Sequence, residues 1–454
     1  MIWLGWRSLQ QSKGMGGLDL SKENGMFSKT WETSKRKYNV IVQRDVKIPL
    51  RDGIELNVDL FRPDSDKKFP AILSLLPFAL HDQSAPLMPA GVDVGPDRVI
   101  LESGDPNFFV RRGYVHVIGN VRGSGKSGGT WPFEGPEEVR DWYDVIEWIA
   151  KQPWCSGHVG TFGNSYVAAL AIGVAALNPP HLKCIFALHG GKERYRHNMY
   201  RGGILCWGLA NSIARGSSGP RVESLTRKKF GDQYLKEAIA KALQNPDIVA
   251  VPELVAVLKN PDLGTNPLIV DVLAHPLYDT FWEEREVDYK ATTVPAYVGS
   301  CWGNVGGHLP GAIYTYENIT SPKKMLIGPP MYLERPLYQP LYESLRWFDY
   351  WLKGIDNGIM DEPKVKVFVM GTSQWKEVDD WPIPGTKWTP FYLHENRLLS
   401  EHEFWPNEGQ DGIEDSPYSR GHLQYNSPRL VEDTEVIGPI VLNLYASTTD
   451  RDIH

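Results

Sequence analysis

The feature that most constrains the fold is an alternation of short apolar strands with helical segments. The run from Phe69 to Leu76 is apolar apart from Ser74, as is typical of a strand buried on both faces of a sheet. Between Pro136 and Trp154, apolar residues recur instead at helical spacing. Further predicted elements are strands at Tyr114–Gly119, Val159–Phe162 and Leu182–Leu188, and a helix of small residues at Ser165–Leu177.

This order of elements predicts an α/β fold with a mostly parallel sheet that helices cover on both sides. Residues Asn39–Ile48 and Glu55–Phe61 flank turn residues and indicate an antiparallel hairpin before the first buried strand. The sheet resumes at Val294–Gly299 and Lys324–Gly328, and a helix follows at Leu341–Leu352.

Changes of pattern along the chain divide it into four predicted parts. The long β-branched runs stop after residue 190, and helical patterns such as Leu225–Leu243 and Pro252–Lys259 follow, which indicates a helical cap over the sheet. Short strands at Lys364–Met370, Trp388–Leu393 and Ile440–Tyr445 with Pro, Gly and Asp turns indicate an all-β region. The parts are an arm at 1–37, an α/β domain at 38–190 and 291–358, a cap at 191–290 and a β domain at 359–454.

Composition excludes several classes of protein. The 454 residues carry 48 Lys and Arg against 55 Asp and Glu, and a net charge of −7 argues against nucleic-acid binding. No apolar run approaches the roughly 20 residues of a membrane helix, and residues 1–31 lack the apolar core of a signal peptide. Four separated cysteines without zinc-site spacing fit reduced thiols and a cytoplasmic location. We expect no metal and no organic cofactor.

The strongest local motif is the segment Thr161–Tyr166, which places Ser165 between a buried strand and a helix. Gly163 stands two positions before the serine, where the tight turn of a nucleophile elbow requires a small residue. Such a turn presents the hydroxyl above the sheet and turns the backbone N–H of Tyr166 toward a developing oxyanion. Val167 departs from the small residue of the full motif, so an ordinary Ser N-cap remains the alternative.

A glycine-rich segment, Gly119–Ser127, invites comparison with a phosphate-binding loop. The spacing fails, because Asn120 stands where the first glycine of that motif belongs. We therefore interpret the segment as a structural crossover that Arg122 anchors.

Longer stretches of the sequence resemble the cocaine esterase-like and X-Pro dipeptidyl-peptidase family. The resemblance extends in consistent order over roughly residues 40–454 and implies an α/β-hydrolase fold with a helical cap and a C-terminal jelly-roll. It also implies a serine hydrolase acting on esters or on amides after proline, with Ser165 as nucleophile. The matching segments are Arg51–Leu56, Leu60–Pro63, Arg112–Tyr114, Asn120–Gly129, Ile146–Trp154, Gly163–Tyr166, Tyr278–Trp282 and Arg346–Gly354.

The remaining catalytic positions depart from this family. Asn304 stands where the family carries its aspartate, and Tyr332 stands where it carries its histidine base. Phe78 replaces the tyrosine that supplies the side-chain half of the oxyanion hole. Changing the aspartate of a triad to asparagine costs about 10⁴ in rate, and losing the base costs about 10⁶. An ordinary triad is therefore not expected here.

A substitute base could restore the chemistry. His308 lies just past the strand that carries the acid position and is the first candidate, and His81, three residues after Phe78, is the second. The alternative for both is a loop histidine that bonds a backbone carbonyl. We expect His189 to be structural. Glu334 and Asp279 are candidate acids.

The β domain is shorter than in the family that the sequence resembles. A sandwich that lacks strands exposes open edges, which pair with other strands unless they are covered. We therefore expect either a homodimer through the β domain or a truncated gene product.

Two classes of function remain open from the sequence. The first is a serine acyl hydrolase or acyltransferase with His308 as a non-standard base, acting on a small, apolar substrate. The second is a degenerate or repurposed scaffold, such as a binding protein or a non-hydrolytic cyclase or lyase-type catalyst. The expected substrate-lining residues are Phe78, His81 and Trp302 at the rim and Tyr195, Tyr200, Leu205 and Trp207 in the cap.

Overall fold

The computed structural model describes residues 33–77, 84–85, 99–100, 102–206, 208, 221–329, 338–404, 409–414 and 421–449. Within these residues, a ten-stranded sheet forms the centre of the molecule, in the order β1-β2-β6-β3-β7-β8-β11-β12-β13-β14. The seven strands β6, β3, β7, β8, β11, β12 and β13 run parallel to one another. The strands β1 and β2 at one end of the sheet and β14 at the other end pair antiparallel with their neighbours.

The central strands are β1 Val40–Pro49, β2 Glu55–Pro63, β3 Phe69–Leu76, β6 Val115–Asn120, β7 Cys155–Asn164, β8 Leu182–Leu188, β11 Ala296–Cys301, β12 Lys323–Gly328, β13 Val365–Val369 and β14 Gln374–Val378. Three small hairpins lie outside the sheet, namely β4 Ser84–Ala85 with β5 Val99–Ile100, β9 Tyr200–Arg201 with β10 Ile204–Leu205, and β15 Tyr392–His394 with β16 Leu398–Ser400. The mostly parallel sheet confirms the predicted α/β class.

Helices connect the strands and cover both faces of the sheet. They are α1 Pro106–Val110, α2 Pro136–Ala150, α3 Tyr166–Ala176, α4 Leu225–Phe230, α5 Asp232–Ala242, α6 Pro246–Val249, α7 Pro252–Lys259, α8 Asn266–Ala274, α9 Thr280–Glu283, α10 Leu309–Asn318 and α11 Tyr338–Lys353. Short 3₁₀ turns occur at Tyr289–Ala291, Trp302–Asn304 and Glu395–Arg397, and a π-helical turn at Tyr195–Met199.

Two apolar cores lie on the two sides of the sheet, because successive strand residues point to opposite faces. Leu73 faces the core that includes α2 and α3, whereas its neighbour Ile72 faces the core that includes α1 and α11. On the second face, Trp347 and Phe348 of α11 are fully buried. This arrangement requires strands that are apolar on both faces, which explains the apolar run predicted for β3.

Among the described residues, six helices, α4 to α9, lie between β10 and β11 and fall inside the predicted cap at 191–290. They share a common interior in which Leu254, Leu258 and Leu268 are buried. A backbone hydrogen bond of 2.8 Å from Trp131 to Arg221 ties the start of this insertion to the α/β domain.

The central sheet extends further along the chain than the sequence predicted. The strands β13 and β14 lie beyond the boundary placed at residues 358–359, yet β13 pairs in parallel with β12. Val365 and Val367 are fully buried in this pairing, so the first strands of the predicted β domain complete the α/β sheet. The central sheet therefore includes two strands from beyond the predicted boundary.

The strand predicted at Ile440–Tyr445 is wrong for the residues that the structure describes. Residues 441–449 contain no strand, and the Ile440 and Tyr445 side chains are 78% and 100% exposed. A strand is stable only when a neighbour satisfies its backbone groups, and none of the described residues pairs with this segment. Its β-branched composition alone could not reveal the missing partner.

Two further observations concern the chemistry of the chain as a whole. The four cysteines, Cys155, Cys184, Cys206 and Cys301, are all reduced thiols outside any disulfide bond. Within the described ranges, none of the helices combines the length and the apolarity needed to cross a membrane.

Candidate active site

Ser165 occupies a strained turn between β7 and α3. Its φ of 56° lies in the left-handed region that a residue other than glycine rarely adopts. Gly163 makes the turn feasible, because a Cβ atom there would lie 2.5 Å from the Cγ1 atom of Val167 in the first turn of α3. The structure thus places Ser165 in the geometry of a nucleophile elbow rather than on an ordinary helix cap.

His308 faces this serine. Its Nε2 atom lies 3.2 Å from the Ser165 hydroxyl oxygen, although the two residues are 143 positions apart in the sequence. His308 directly precedes α10, in the connection that follows β11. Both side chains are half-buried.

Backbone contacts hold the loop that carries His308. The backbone N–H of His308 donates to the carbonyl oxygen of Asn304 at 3.1 Å and to its side-chain oxygen at 3.3 Å. The Asn198 amide donates to the Gly307 carbonyl at 2.6 Å. Asn304, at the position where the family resemblance expects an aspartate, therefore fixes the backbone of the histidine.

The surroundings keep the His308 ring neutral. Burial lowers the pKa of His308 well below its usual value, and the positive charge of Arg194 lowers that pKa further. A neutral imidazole that offers Nε2 to a hydroxyl is the state that a general base requires.

His189 lies close to the pair but is held in the interior. Its backbone N–H donates to the Gly299 carbonyl at 2.6 Å, and its Nδ1 atom lies 3.2 Å from the Ser300 hydroxyl. Burial lowers the pKa of His189 to about 4, which leaves it neutral at physiological pH. These contacts agree with the structural role expected from the sequence.

Glu102 is a member of the site that sequence reasoning missed. Its carboxyl group interacts with the Ser165 side chain, and its backbone carbonyl accepts a 3.1 Å hydrogen bond from the Asn164 backbone N–H. The side chain is only 5% exposed. Burial raises the pKa of Glu102 to about 8, and the Glu134 carboxylate raises it as well, while Arg194 and the bond to Ser165 act in the opposite direction.

A buried ionic network lies behind the elbow. The Arg194 guanidinium forms two hydrogen bonds with the Glu134 carboxylate, and Lys192 donates to the Glu134 carbonyl at 2.7 Å. The Tyr166 hydroxyl donates to Glu138 at 2.6 Å. All of these side chains are buried, so the network fixes the start of α3 relative to the segment that follows β8.

The predicted oxyanion donor is the backbone of Tyr166, and its position supports that use. Tyr166 is the first residue of α3, and the first four N–H groups of a helix have no partner within the helix. The side chain is engaged elsewhere, because its hydroxyl also accepts a 2.6 Å hydrogen bond from the Trp131 indole. The role of the Tyr166 N–H stays a prediction.

Several candidates named from the sequence lie outside the described residues, namely Phe78, His81, Trp207, Tyr332 and Glu334. Trp302 is half-buried, and its indole N–H donates to the Phe368 carbonyl at 2.6 Å. Asp279, a candidate acid, caps α9 and accepts a 2.6 Å hydrogen bond from His275, so its carboxyl group is engaged within the cap.

The aromatic cap residues expected to line a substrate site are packed against one another instead. Tyr195 and Tyr200 stack with ring centroids 5.2 Å apart and are 8% and 5% exposed. Their hydroxyls donate to the carbonyls of Pro276 and Val272. That prediction is corrected, because these rings stabilise the cap and leave little surface for a ligand.

The glycine-rich crossover is structural in the way expected from its sequence. Arg122 donates to Asp52 at 2.9 Å and also pairs with Asp141, so the loop is tied to α2 and to the first hairpin. A Cβ atom at Gly125 would lie 2.3 Å from the Asn120 side-chain oxygen, which explains the glycine. Among the described residues, no group of three or more His, Cys, Asp or Glu side chains is arranged to hold a metal ion.

Comparison with known proteins adds independent information to this geometry. Residues 52–331 match the family model of the X-Pro dipeptidyl-peptidase (S15 family), and residues 357–454 match that of the X-Pro dipeptidyl-peptidase C-terminal non-catalytic domain. The chain is 29% identical over 383 residues to the cocaine esterase of Rhodococcus sp. (strain MB1 Bresler). This alignment covers 78% of this chain and 62% of the esterase.

Solved structures show the same fold. A CocE/NonD family hydrolase from Staphylococcus aureus matches with a TM-score of 0.63 and 28% identity, covering 80% of this chain and 60% of that one. An aminopeptidase from a marine sediment archaeon (Thaumarchaeota archaeon) matches in fold with a TM-score of 0.61 and 17% identity, covering 87% of this chain and 65% of that one. The chain thus spans about 60% of the length of the first relatives that it matches.

Proposed function

Because the chain belongs to the X-Pro dipeptidyl-peptidase (S15) family, we propose that it is a serine acyl hydrolase in which His308 serves as the base. The observation that carries the proposal is the 3.2 Å approach of the His308 Nε2 atom to the Ser165 hydroxyl. Nucleophile and base within hydrogen-bond reach are the geometric signature of an activated serine.

In the proposed reaction, the Ser165 oxygen attacks the substrate carbonyl carbon while its proton passes to Nε2 of His308. The negative charge that forms on the carbonyl oxygen meets the backbone N–H of Tyr166 at the start of α3. The protonated His308 then gives its proton to the leaving alcohol or amine. Water repeats the sequence on the acyl-enzyme and releases the acid.

Because position 304 carries asparagine instead of aspartate, we expect catalysis to be slower than in a standard triad. A carboxylate beside the histidine stabilises the imidazolium, and its replacement by an amide costs about 10⁴ in a standard triad. Here Arg194 further disfavours the imidazolium. We therefore expect slow turnover of unactivated amides and measurable turnover of activated esters, whose leaving groups need little protonation.

The names of the relatives guide the choice of substrate class. The family model is named for a peptidase, and one relative is named a cocaine esterase. Esters and amides are both cleaved through an acyl-enzyme, so the proposed substrate is a small ester or an amide. The alternative of a repurposed binding scaffold rests on the substituted acid position and becomes an outcome of the test below.

Labelling with a fluorophosphonate probe tests the proposed function, because such probes react with activated serines. Wild type should be labelled, Ser165→Ala should not, and His308→Ala should be labelled far more slowly. The matched controls are Ser156→Ala and His422→Ala, which remove exposed side chains of the same type. Equal labelling of wild type and Ser165→Ala would contradict the proposal and favour a scaffold without an activated serine.

A further inference from the structure

The Ser165 hydroxyl lies between two side chains that reach it from opposite sides of β7. His308 comes from the connection after β11, which lies beyond β8 on one side of β7. On the other side of β7 lies β3. Glu102 belongs to the connection that leads from β3 to α1. In α/β-hydrolases the β3 side supplies the second oxyanion donor, so Glu102 stands on the side where that donor is expected.

The Glu102 carboxyl group is held in place but not fully used. The hydrogen bond between its carbonyl and the Asn164 N–H fixes Glu102 beside the residue that precedes the nucleophile. The carboxyl group lies close enough to the Ser165 side chain to interact with it. The Oε2 atom is buried and has no hydrogen-bond partner among the described residues. A buried polar atom without a partner at a reactive serine is a costly arrangement that a bound substrate could relieve.

The charges around Glu102 favour its neutral form. Burial and the Glu134 carboxylate raise its pKa to about 8, and the opposing effects of Arg194 and of the bond to Ser165 are smaller than the effect of burial. At pH 7 the carboxyl group is therefore mostly protonated and has an O–H to donate. A carboxylic acid kept neutral by an apolar site is a known form of oxyanion donor.

We propose that Glu102 is a catalytic residue whose carboxylic acid donates a hydrogen bond to the oxyanion formed when Ser165 attacks a carbonyl. This inference rests on the proposed hydrolase function. Glu102 supplies the side-chain donor that Phe78 lacks at the position of the family's tyrosine. The proton stays on Glu102 throughout, while the Ser165 proton moves to His308.

The roles of His308 and Glu102 follow from the opposite directions in which their pKa values are shifted. His308 is held neutral and accepts a proton, whereas Glu102 is held protonated and donates a hydrogen bond. In the resting site the Ser165 hydroxyl lies within hydrogen-bond distance of His308, and the neutral Glu102 side chain lies beside the same serine. When the Ser165 oxygen bonds the substrate carbon, the Glu102 donor is left facing the adjacent carbonyl oxygen.

The test compares wild type, Glu102→Gln and Glu102→Ala between pH 5 and 10, with fluorophosphonate labelling and with kcat/KM on 4-nitrophenyl acetate. We expect wild-type activity to fall above about pH 8, because the ionised carboxylate no longer donates. Glu102→Gln keeps an N–H donor at every pH, so it should retain neutral activity within about 10-fold and lose the alkaline decline. Glu102→Ala should lose about 10²–10³ in rate.

Other results overturn the inference. If Glu102→Gln loses as much activity as His308→Ala, Glu102 is a base rather than a donor. If both Glu102 variants keep the wild-type pH profile and rate, Glu102 is structural. Should Glu102→Ala fail to fold, the pH profile of Glu102→Gln decides alone. Absence of labelling in wild type would instead refute the proposed function, so the two failures remain distinguishable.

Discussion

The Nε2 atom of His308 lies 3.2 Å from the Ser165 hydroxyl oxygen. This contact links the strained turn after β7 to the loop before α10. Neither residue is reactive alone, because a serine hydroxyl without a base is a poor nucleophile. The loop is positioned by Asn304 and Asn198 through backbone bonds. The side-chain amides of Asn198 and Asn304 therefore hold the backbone that carries His308. Position 304 supplies an amide to this loop where the family has a carboxylate.

Removal of either member of the pair should abolish most of the esterase activity. We expect Ser165→Ala and His308→Ala each to lower kcat on 4-nitrophenyl acetate by about 10³–10⁶, since nucleophile and base act as a unit. The measurement is initial rate under saturating ester, with Ser156→Ala and His422→Ala as controls that should keep wild-type rates. A His308→Ala variant with full activity would show that another group takes the proton.

The acid limb of the pH–rate profile should lie at low pH. The base must be neutral to accept a proton, and the surroundings lower the pKa of His308 well below 6.5. Activity should therefore persist as the pH falls through 6.5 and decline only below it. The profile of kcat/KM from pH 4 to 8 measures this limb. A midpoint at or above 6.5 would contradict the electrostatic picture of the loop.

Changing Asn304 to aspartate should move that same limb upward. The carboxylate would still accept the His308 backbone N–H, and its negative charge near the ring would favour the protonated imidazole. We expect a higher pKa for His308 and a turnover that rises by up to about 10-fold above neutral pH. The exposed change Asn260→Asp is the matched control and should leave the profile unshifted.

Much of this site was accessible from the sequence because its signals are local. Ser165 was predicted from a strand, a glycine and a helix that are adjacent in the chain, and His308 from its place just after a predicted strand. Glu102 was not, because it is distant from Ser165 in the sequence and comes near it only in the folded chain. No spacing or periodicity around Glu102 distinguishes it from a solvated acid.

The same distinction between local and long-range information applies to the fold. The strand at Val365–Val369 was predicted, but its partner was not, since pairing with β12 joins segments that the change of sequence pattern had separated. The segment Ile440–Tyr445 shows the converse error. Its β-branched residues favour a strand, yet none of the described segments pairs with its backbone N–H and C=O groups. Strand propensity contains no information about which segment will be the pairing partner.

The ionic network behind the elbow should be important for stability. Glu134→Gln removes the carboxylate between Arg194 and Lys192, which are both buried, and so leaves two cations without their counter-charge. Breaking a buried pair in this way costs about 3–5 kcal/mol. Urea unfolding followed by tryptophan fluorescence measures the free energy of unfolding. The exposed change Glu137→Gln should cost less than about 0.5 kcal/mol, and a similar loss in both variants would contradict the prediction.

The elbow itself should fail when Gly163 gains a side chain. In Gly163→Ala the new Cβ would lie 2.5 Å from Val167 Cγ1 and 2.8 Å from the Val167 backbone, so β7 and the first turn of α3 must separate. We expect a loss of about 1–3 kcal/mol in the free energy of unfolding, as is usual for overpacking. The displaced Ser165 should also react with fluorophosphonate at least about 10²-fold more slowly, because misplacement by 1 Å can cost that much. Gly371→Ala is the control, since a methyl group added there would have no atom within 4 Å and its backbone is unstrained. A Gly163→Ala protein that is labelled as fast as wild type would show that the serine does not depend on the strained turn.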